Sequence, residues 1–279
     1  MTRLAPPLAR AQAFCDLRGI PTVRSTTVFA TVLFAFVPCS FEAKATSAVA
    51  VWTPDATFIA ADATMIHYEN KAISWKICKI NVSGKIFWVS AGISRDVGVG
   101  FSVKQLVDDA MARGSSLAQK VSIFESEATK GLTVEMNMVY KSKRDIFNQN
   151  FNHRDVLEVM FSGYENGVNY LLVRSFSSYF DFINKTVKII TNDRMNCPCD
   201  DNSGYAVGNH SAIDSELRQN PGLLNSPLGT GDALRQLIGL EIALTPRDVG
   251  PPVSIVEIRK GVPRWIDEGA CGPGQTNKK

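Results

Sequence analysis

The sequence predicts an α+β fold built from two antiparallel sheets, and the order of the predicted elements is the main reason. Strand-like stretches come first after residue 45, helix-periodic stretches follow, and both blocks then repeat before two closing strands. Helices grouped between blocks of strands argue against a doubly wound parallel sheet. Two antiparallel sheets packed together, with a helical layer outside each, satisfy this order. The composition, 45% hydrophobic and 20% charged over 279 residues, is typical of a globular protein.

The first predicted strand pair is a β-hairpin. Two short apolar runs, Ser47–Trp52 and Thr57–Ala61, flank Thr53-Pro54-Asp55, in which Pro and Asp favour a turn. A three-residue turn places Thr46 opposite Asp62. A two-residue turn shifts the register by one position and still leaves Asp62 beside Thr46. The hairpin therefore brings a hydroxyl and a carboxylate together at one end of a sheet.

A second hairpin is predicted around Ser83-Gly84, with strands over Lys76–Asn81 and Lys85–Ser90. Side chains alternate between the two faces of a strand, so Lys76 and Cys78 share one face. If that face points inward, Cys78 packs in the core and Lys76 reaches the end of the sheet near the first hairpin.

The remaining elements follow from helical spacing and from turn residues. From Ile93 to about Phe151 apolar residues recur at helical spacing, with breaks at glycine. Strands are predicted at Val156–Gly163, Tyr170–Phe176, Phe180–Ile190, Ser203–Gly208, Val253–Ile258 and Pro263–Ile266, and helices near Asn209–Gln219 and from Asp232 to Ala243.

A hydrophobic segment near the N-terminus has the pattern of a secretory signal peptide. Arg18 and Arg24 precede the apolar run Val28–Val37, and Ala43-Lys44-Ala45 provides a small-x-small cleavage site. A bilayer span needs about 20 apolar residues, which is longer than this run. The alternatives are a propeptide, a buried N-terminal strand or helix, and a membrane tether.

Cleavage after Ala45 would divide the chain and create a new N-terminus. We expect residues 1–45 to be removed, residues 46–268 to form one domain and residues 269–279 to be a disordered tail. Thr46 then begins the mature chain, and its α-amine, with a pKa of about 8, can act as the base for its own hydroxyl. The expected location is periplasmic or secreted, and cytoplasmic if the removed segment is instead a propeptide.

The residues around Thr46 resemble a known family. The chain looks like the proteasome-type branch of the N-terminal nucleophile (Ntn) hydrolases, whose mature members begin with a catalytic Thr followed sixteen residues later by an Asp, the spacing of Thr46 and Asp62. The family's next feature, a Lys in a Lys-apolar-x-x-apolar strand, is matched by Lys76, although the connection is shorter here. Ser90-Ala91-Gly92 matches the strand end whose glycine amide forms the oxyanion hole. The resemblance covers roughly residues 45–266.

The resemblance implies a role for each matched residue. Thr46 would be the nucleophile, with its own amine as the general base. Lys76 would lower the proton affinity of the hydroxyl, and Asp62 would keep Lys76 charged and oriented. The Gly92 N–H would stabilise the oxyanion. The alternative is that Thr46 begins an ordinary strand and that Asp62 and Lys76 form a structural ion pair.

Two further positions depart from the family pattern. The family has a Gly-Ser-Gly turn, which Gly208-Asn209-His210 resembles here. Asn209 therefore stands where the family has the Ser that assists the amine. An Asp-Ser-Gly segment resembles Asp248-Val249-Gly250, in which the Asp is kept and the Ser is not. Asn209 can still donate and accept hydrogen bonds, so the amine could be held differently.

The resemblance implies a four-layer αββα sandwich, the Ntn-hydrolase fold, and a threonine-type amidohydrolase or peptidase. Such an enzyme would cleave a peptide or small amide through an acyl-enzyme ester. A different class stays open, a catalytically silent sandwich that serves as a binding or assembly module. Relatives form rings, which suggests a homo-oligomer, but a ring fed by an ATP-driven partner conflicts with export.

Charge and cysteine spacing bear on other partners. The first 45 residues carry a net charge of +3, equal to that of the whole chain, so the rest is neutral and offers no basic patch for nucleic acid. We expect no cofactor and no metal, because Cys197-Pro198-Cys199 lacks the further ligands of a tetrahedral site. In an exported protein one of these cysteines is expected to bond Cys271, although spacing cannot fix the pairing.

Overall fold

Blocks of strands and helices follow one another along the chain in the predicted order. The computed structural model describes residues 41–44, 46–66, 74–96, 99–199, 202–225 and 229–272. The helices are α1 (Val103–Arg113), α2 (Leu117–Ser142), α3 (Arg144–Asn150), α4 (Ser211–Gln219) and α5 (Thr230–Leu244), with a short 3₁₀ helix at Leu223–Asn225. The strands are β1 (Phe41–Lys44), β2 (Ser47–Trp52), β3 (Thr57–Ala61), β4 (Thr64–Ile66), β5 (Ser74–Lys76), β6 (Asn81–Ser83), β7 (Ile86–Asp96), β8 (Phe101–Ser102), β9 (Arg154–Glu165), β10 (Val168–Asp181), β11 (Thr186–Cys197), β12 (Ser203–Gly208), β13 (Ser254–Arg259) and β14 (Val262–Asp267).

The strands form two main sheets, and every pairing between named strands is antiparallel. The larger sheet has the order β1-β7-β9-β10-β11, with β6 and β8 also paired with β7. The smaller has the order β12-β2-β3-β13-β14, and β4 and β5 form a separate pair. The predicted α+β class with two antiparallel sheets is therefore confirmed.

Three clusters of buried apolar side chains account for the packing. One lies between the larger sheet and helices α1 to α3, and includes Phe124, Leu132 and Phe161. A second joins residues of both sheets, such as Ile59 of β3 and Val89 of β7. The third lies between the smaller sheet and helices α4 and α5. Burial of apolar area at about 25 cal/mol per Å² makes such clusters the main stabilising term of a fold.

The first hairpin adopts the shorter of the two predicted turns. Trp52 pairs with Thr57, and the Thr53 N–H donates to the Ala56 carbonyl at 2.9 Å, which leaves Pro54 and Asp55 as the turn. The next hydrogen bond beyond the paired strands joins the N–H of residue 62 to the carbonyl of residue 47, at 3.1 Å. Asp62 is therefore opposite Ser47 and diagonal to Thr46, the register given by a two-residue turn.

The second predicted hairpin is only partly correct. The structure ends β5 at Lys76, leaves residues 77–80 outside any strand and pairs Asn81–Ser83 with β7. The predicted strand over Lys76–Asn81 is wrong because β5 pairs with β4 in a separate ribbon and the chain then crosses to the larger sheet. Alternation therefore cannot be carried through this segment.

The helical block contains one long helix where glycine breaks were expected. Helix α2 runs through Gly131 without interruption. A Cβ at that position would lie 2.6 Å from Cδ2 of Phe101, so the glycine makes room for an aromatic ring. Sequence alone cannot distinguish this packing role from a helix stop.

The cysteine pairing and the C-terminal boundary differ from expectation. Cys78 bonds Cys271, and Cys197 bonds Cys199, so the expected bond from 197 or 199 to 271 is wrong. Ala270 is fully buried, which extends the ordered domain past residue 268. Residues 273–279 of the predicted tail, and residues 1–40 and 45 of the predicted signal segment, lie outside the described residues.

Candidate functional site

Thr46 lies directly before β2, with its side chain buried between neighbouring elements. It is 1% exposed, and within the part of the chain that the structure describes its hydroxyl has no hydrogen-bond partner. A buried polar group left unpaired costs about 1–3 kcal/mol, so such a group calls for an explanation. Among the described residues the hydroxyls of Ser47, Thr57 and Ser162 are also buried without a hydrogen-bond partner, so this feature alone does not single out Thr46.

The Asp62 carboxylate, directly after β3, accepts four hydrogen bonds in a buried position. Oδ1 accepts from the Ser47 N–H at 3.0 Å and from Lys79 Nζ at 2.6 Å. Oδ2 accepts from the N–H groups of Thr64 at 3.0 Å and Gly250 at 3.1 Å. A charge taken out of water needs such partners. Asp62 thus holds both the amide that follows the candidate nucleophile and a buried ammonium group.

The lysine that pairs with Asp62 is Lys79, whereas the sequence predicted Lys76. The side chains of Lys79 and Asp62 are 2% and 0% exposed. Lys76 is exposed at the end of β5, and its Nζ donates to Thr64 Oγ1 at 2.9 Å. The predicted contact between Asp62 and Lys76 is therefore wrong, because residues 77–80 are not a strand and alternation does not select the inward lysine.

Gly92 lies in β7 with a φ of +95°, where the backbone of the neighbouring strand approaches closely. A Cβ at Gly92 would lie 2.3 Å from the Val156 carbonyl oxygen, so only glycine fits without a backbone shift. On the opposite side β1 pairs with β7, and Lys44 is the partner of Gly92. The chain just ahead of Thr46 therefore runs along the edge of β7 that carries Gly92.

The turn at Gly208-Asn209 contacts the Thr46 backbone directly. Gly208 has a φ of +79°, and a Cβ there would lie 1.9 Å from the Thr46 carbonyl oxygen and 2.9 Å from the Ala91 Cβ. The Asn209 N–H donates to that same carbonyl at 2.8 Å. The structure thus brings Asn209 to Thr46 through its backbone, and it brings Ala91 of β7 to Gly208.

Asp248 lies in the loop that follows α5. Its side chain is half-buried, and burial raises its pKa. The same loop reaches the site two residues later, where Gly250 donates to Asp62. A Cβ at Gly250 would lie 2.5 Å from Thr64 Oγ1 and 3.6 Å from Lys76 Nζ, so this loop packs against the ribbon of β4 and β5.

Sequence reasoning missed two charged residues of this region, Lys79 and Glu158. Both are buried, at 4% and 6% exposed. The signal for Lys79 was the second lysine of Lys76-Ile77-Cys78-Lys79-Ile80, which also precedes an apolar residue. A charged residue in the apolar stretch Val156–Gly163 was the only signal for Glu158, since its partner Gly208 is fifty residues away.

Comparisons with known proteins do not extend this description. No protein-family model matches the chain, and no curated protein matches it. Among the described residues there is no cluster of three or more potential metal ligands, and no helix there is long and apolar enough to cross a membrane.

Proposed function

We propose that the protein is an N-terminal threonine hydrolase of the proteasome-like Ntn type, with Thr46 as its nucleophile after removal of residues 1–45. The observation that carries the proposal is the buried ion pair of Asp62 and Lys79, which is hydrogen-bonded to the amide of the residue next to Thr46. Two buried charges are expensive to desolvate, and replacing such a pair by apolar residues often leaves a fold equally stable. A buried ion pair that holds the backbone next to Thr46 is typical of a site arranged for chemistry, which supports the proposal.

The reaction would proceed in two steps. The released α-amine of Thr46 takes the Oγ1 proton, and the oxygen forms a bond to the substrate carbonyl carbon while the C–N bond breaks. The proton goes to the leaving amine. Water then attacks the resulting ester, which releases the acid and restores the hydroxyl. The Lys79 ammonium would lower the proton affinity of Oγ1, in the role first expected for Lys76, and Asp62 would hold Lys79 charged.

Contacts around the nucleophile support the other assigned roles. The Gly92 N–H remains the proposed oxyanion donor, since Ala91, the residue before Gly92, and Thr46 both lie against Gly208. Asn209 is held against the Thr46 carbonyl, where its amide side chain could orient the α-amine. Asp248 would assist from the adjacent loop.

The position of β1 supports a peptide substrate. Residues 41–44 pair with Gly92–Asp96 of β7 immediately ahead of Thr46. Once they are removed, the backbone groups at this edge can pair with another extended chain. The acyl side of a scissile bond would then lie where Lys44 and its neighbours lie in the uncleaved chain.

The layer order and the disulfides support the rest of the proposal. The layers come in the order helices, larger sheet, smaller sheet, helices, and one core cluster lies between each neighbouring pair. This is the layer order of the αββα sandwich of the Ntn hydrolases. The pairs Cys78–Cys271 and Cys197–Cys199 favour an exported protein, because disulfides persist in oxidising compartments.

One observation favours a second candidate, a catalytically silent module. Strand β1 pairs with β7 at the edge of the larger sheet, so the segment ahead of Thr46 has a place in the fold. If that segment is never removed, Thr46 has no free amine and the sandwich can act only in binding or assembly.

The test combines intact mass, N-terminal sequencing and labelling of the mature protein with a β-lactone or boronate. We expect an N-terminus at Thr46, labelling at that residue, and no reaction in Thr46→Ala. Thr57→Ala is the matched control, because Thr57 is another buried threonine of the same hairpin whose hydroxyl has no hydrogen-bond partner among the described residues. An N-terminus elsewhere would exclude the mechanism, and labelling that survives Thr46→Ala would move the chemistry to another residue.

A further inference from the structure

Glu158 is a buried carboxylate that the reaction described above does not use. It lies on β9 opposite Ala91 of β7 and is 6% exposed. Its Oε2 accepts the Gly208 N–H at 2.9 Å. Gly208 belongs to the smaller sheet, so this hydrogen bond joins the two sheets next to the candidate nucleophile.

Two further contacts, both at the Thr46 carbonyl, connect this hydrogen bond to the candidate nucleophile. Gly208 lies against the Thr46 carbonyl so closely that a Cβ would be 1.9 Å from its oxygen. The next amide, that of Asn209, donates to the same oxygen at 2.8 Å. Glu158 therefore fixes the turn whose following N–H fixes the backbone of the nucleophile.

The surroundings of Glu158 make a purely apolar packing role a poor explanation. Burial raises the pKa of its carboxyl, while the Gly208 N–H and the nearby His210 oppose that rise. His210 is itself hydrogen-bonded to Asp214 at 2.8 Å. A buried carboxyl costs free energy unless its hydrogen bonds are made, and here the assigned bond goes to the turn beside Thr46.

We propose that Glu158 is a positioning residue for Thr46, acting through the Gly208-Asn209 turn. The inference depends on the proposed function only for its catalytic consequence, since the effect on the turn stands by itself. The acceptor is what matters, and it is present in a carboxylate, a neutral carboxyl and a carboxamide alike. Glu158→Gln should therefore keep the turn in place, whereas Glu158→Ala should release it.

The experiment measures amide hydrogen exchange and Thr46 labelling in the mature protein for wild type, Glu158→Ala, Glu158→Gln and Glu165→Ala. Glu165 is the matched control, because it lies on the same strand and accepts a backbone N–H at the start of α2, from Leu117. In Glu158→Ala we expect the amides of Gly208 and Asn209 to exchange at least about tenfold faster and the labelling rate constant at saturating probe to fall about tenfold. Both effects should be absent in the other two variants.

Each result has a defined meaning. Unchanged exchange at the turn in Glu158→Ala overturns the proposal. So does a labelling loss that Glu158→Gln shares, because the acceptor would then not be the feature that matters. If Glu158→Ala is too unstable to purify, Glu158→Leu, which keeps the side-chain volume without the acceptor, replaces it. An unlabelled wild type refutes the proposed function, and the exchange data then decide the positioning of the turn separately.

Discussion

Lys79→Met tests which of two lysines serves the candidate nucleophile. The substitution removes the ammonium that bonds Asp62 at 2.6 Å and keeps a side chain of similar length. Lys76→Met is the matched control, three residues away in the same segment, because Lys76 is exposed and bonds Thr64 instead. The sequence pattern predicted Lys76 as the partner of Asp62, whereas the structure pairs Asp62 with Lys79. The two variants should therefore behave differently.

The expected size of the stability change follows from the contacts of Asp62. Removing one partner of a buried ion pair costs about 3–5 kcal/mol. Three backbone N–H groups stay on the carboxylate, from Ser47, Thr64 and Gly250, which places the cost near the lower limit, about 3 kcal/mol. At about 2–4 °C per kcal/mol for a domain of this size, Lys79→Met should lower Tm by about 6–12 °C. Lys76→Met loses an exposed group and should stay within about 1 kcal/mol.

The assay pairs thermal unfolding with the labelling rate of Thr46, measured at a temperature where both variants are folded. We expect Lys79→Met to slow labelling about 100-fold or more, since in the proposed mechanism the Lys79 ammonium lowers the proton affinity of Oγ1. Lys76→Met should keep the wild-type rate within about threefold, as expected for an exposed charge outside the buried pair. The reasoning is refuted if Lys76→Met loses labelling while Lys79→Met retains both labelling and Tm. The unfolding data test the ion pair even if the wild-type protein is not labelled.

Two further predictions concern stability. Cys78→Ser opens the bond to Cys271, which spans 193 residues, and should cost about 2–5 kcal/mol in urea unfolding under oxidising conditions. Cys197→Ser opens the bond to Cys199, two residues away, and should lower the free energy of unfolding by less, because closing a short loop removes little entropy from the unfolded chain. Equal losses in the two variants would contradict this dependence on loop length. Burial raises the pKa of Glu135 to about 8, so the folded state keeps a proton that the unfolded state releases and stability should fall as pH rises from about 5 to 8. Urea unfolding of Glu135→Gln at both pH values should show a weaker fall, and an unchanged fall would mean that other groups cause it.

Local chemistry made much of the fold predictable. The apolar runs Ser47–Trp52 and Thr57–Ala61 and the turn residues between them predicted the hairpin with its bounds. The pairing of Asp62 with the start of β2 followed from that register. Helix-periodic residues gave the helical blocks, although the bounds of α2 depended on the fit of Gly131 against Phe101, a contact between residues thirty positions apart.

The parts that failed depend on where the chain crosses between sheets. Alternation assumes one continuous strand, but residues 77–80 form the crossing from the ribbon of β4 and β5 to the larger sheet. The buried lysine is therefore Lys79 and not the predicted Lys76. The same limit hid Glu158, whose bond to Gly208 joins two sheets that share no hairpin. The sequence did contain one sign that Lys76 was the wrong lysine. The connection from Asp62 to Lys76 is shorter than the usual connection in the family that the chain resembles.

Removal of residues 1–45 would change the site in two ways. The described core clusters are built from Ala48 onward, so cleavage takes away the pairing of β1 but none of those side chains. β1 itself is four residues long, and its register shifts between Glu42 and Ala43. Cleavage frees the Thr46 amine and the β7 edge at Gly92 in the same event. The base and the binding edge would thus become available together, which is why the identity of the mature N-terminus decides between an enzyme and a silent module.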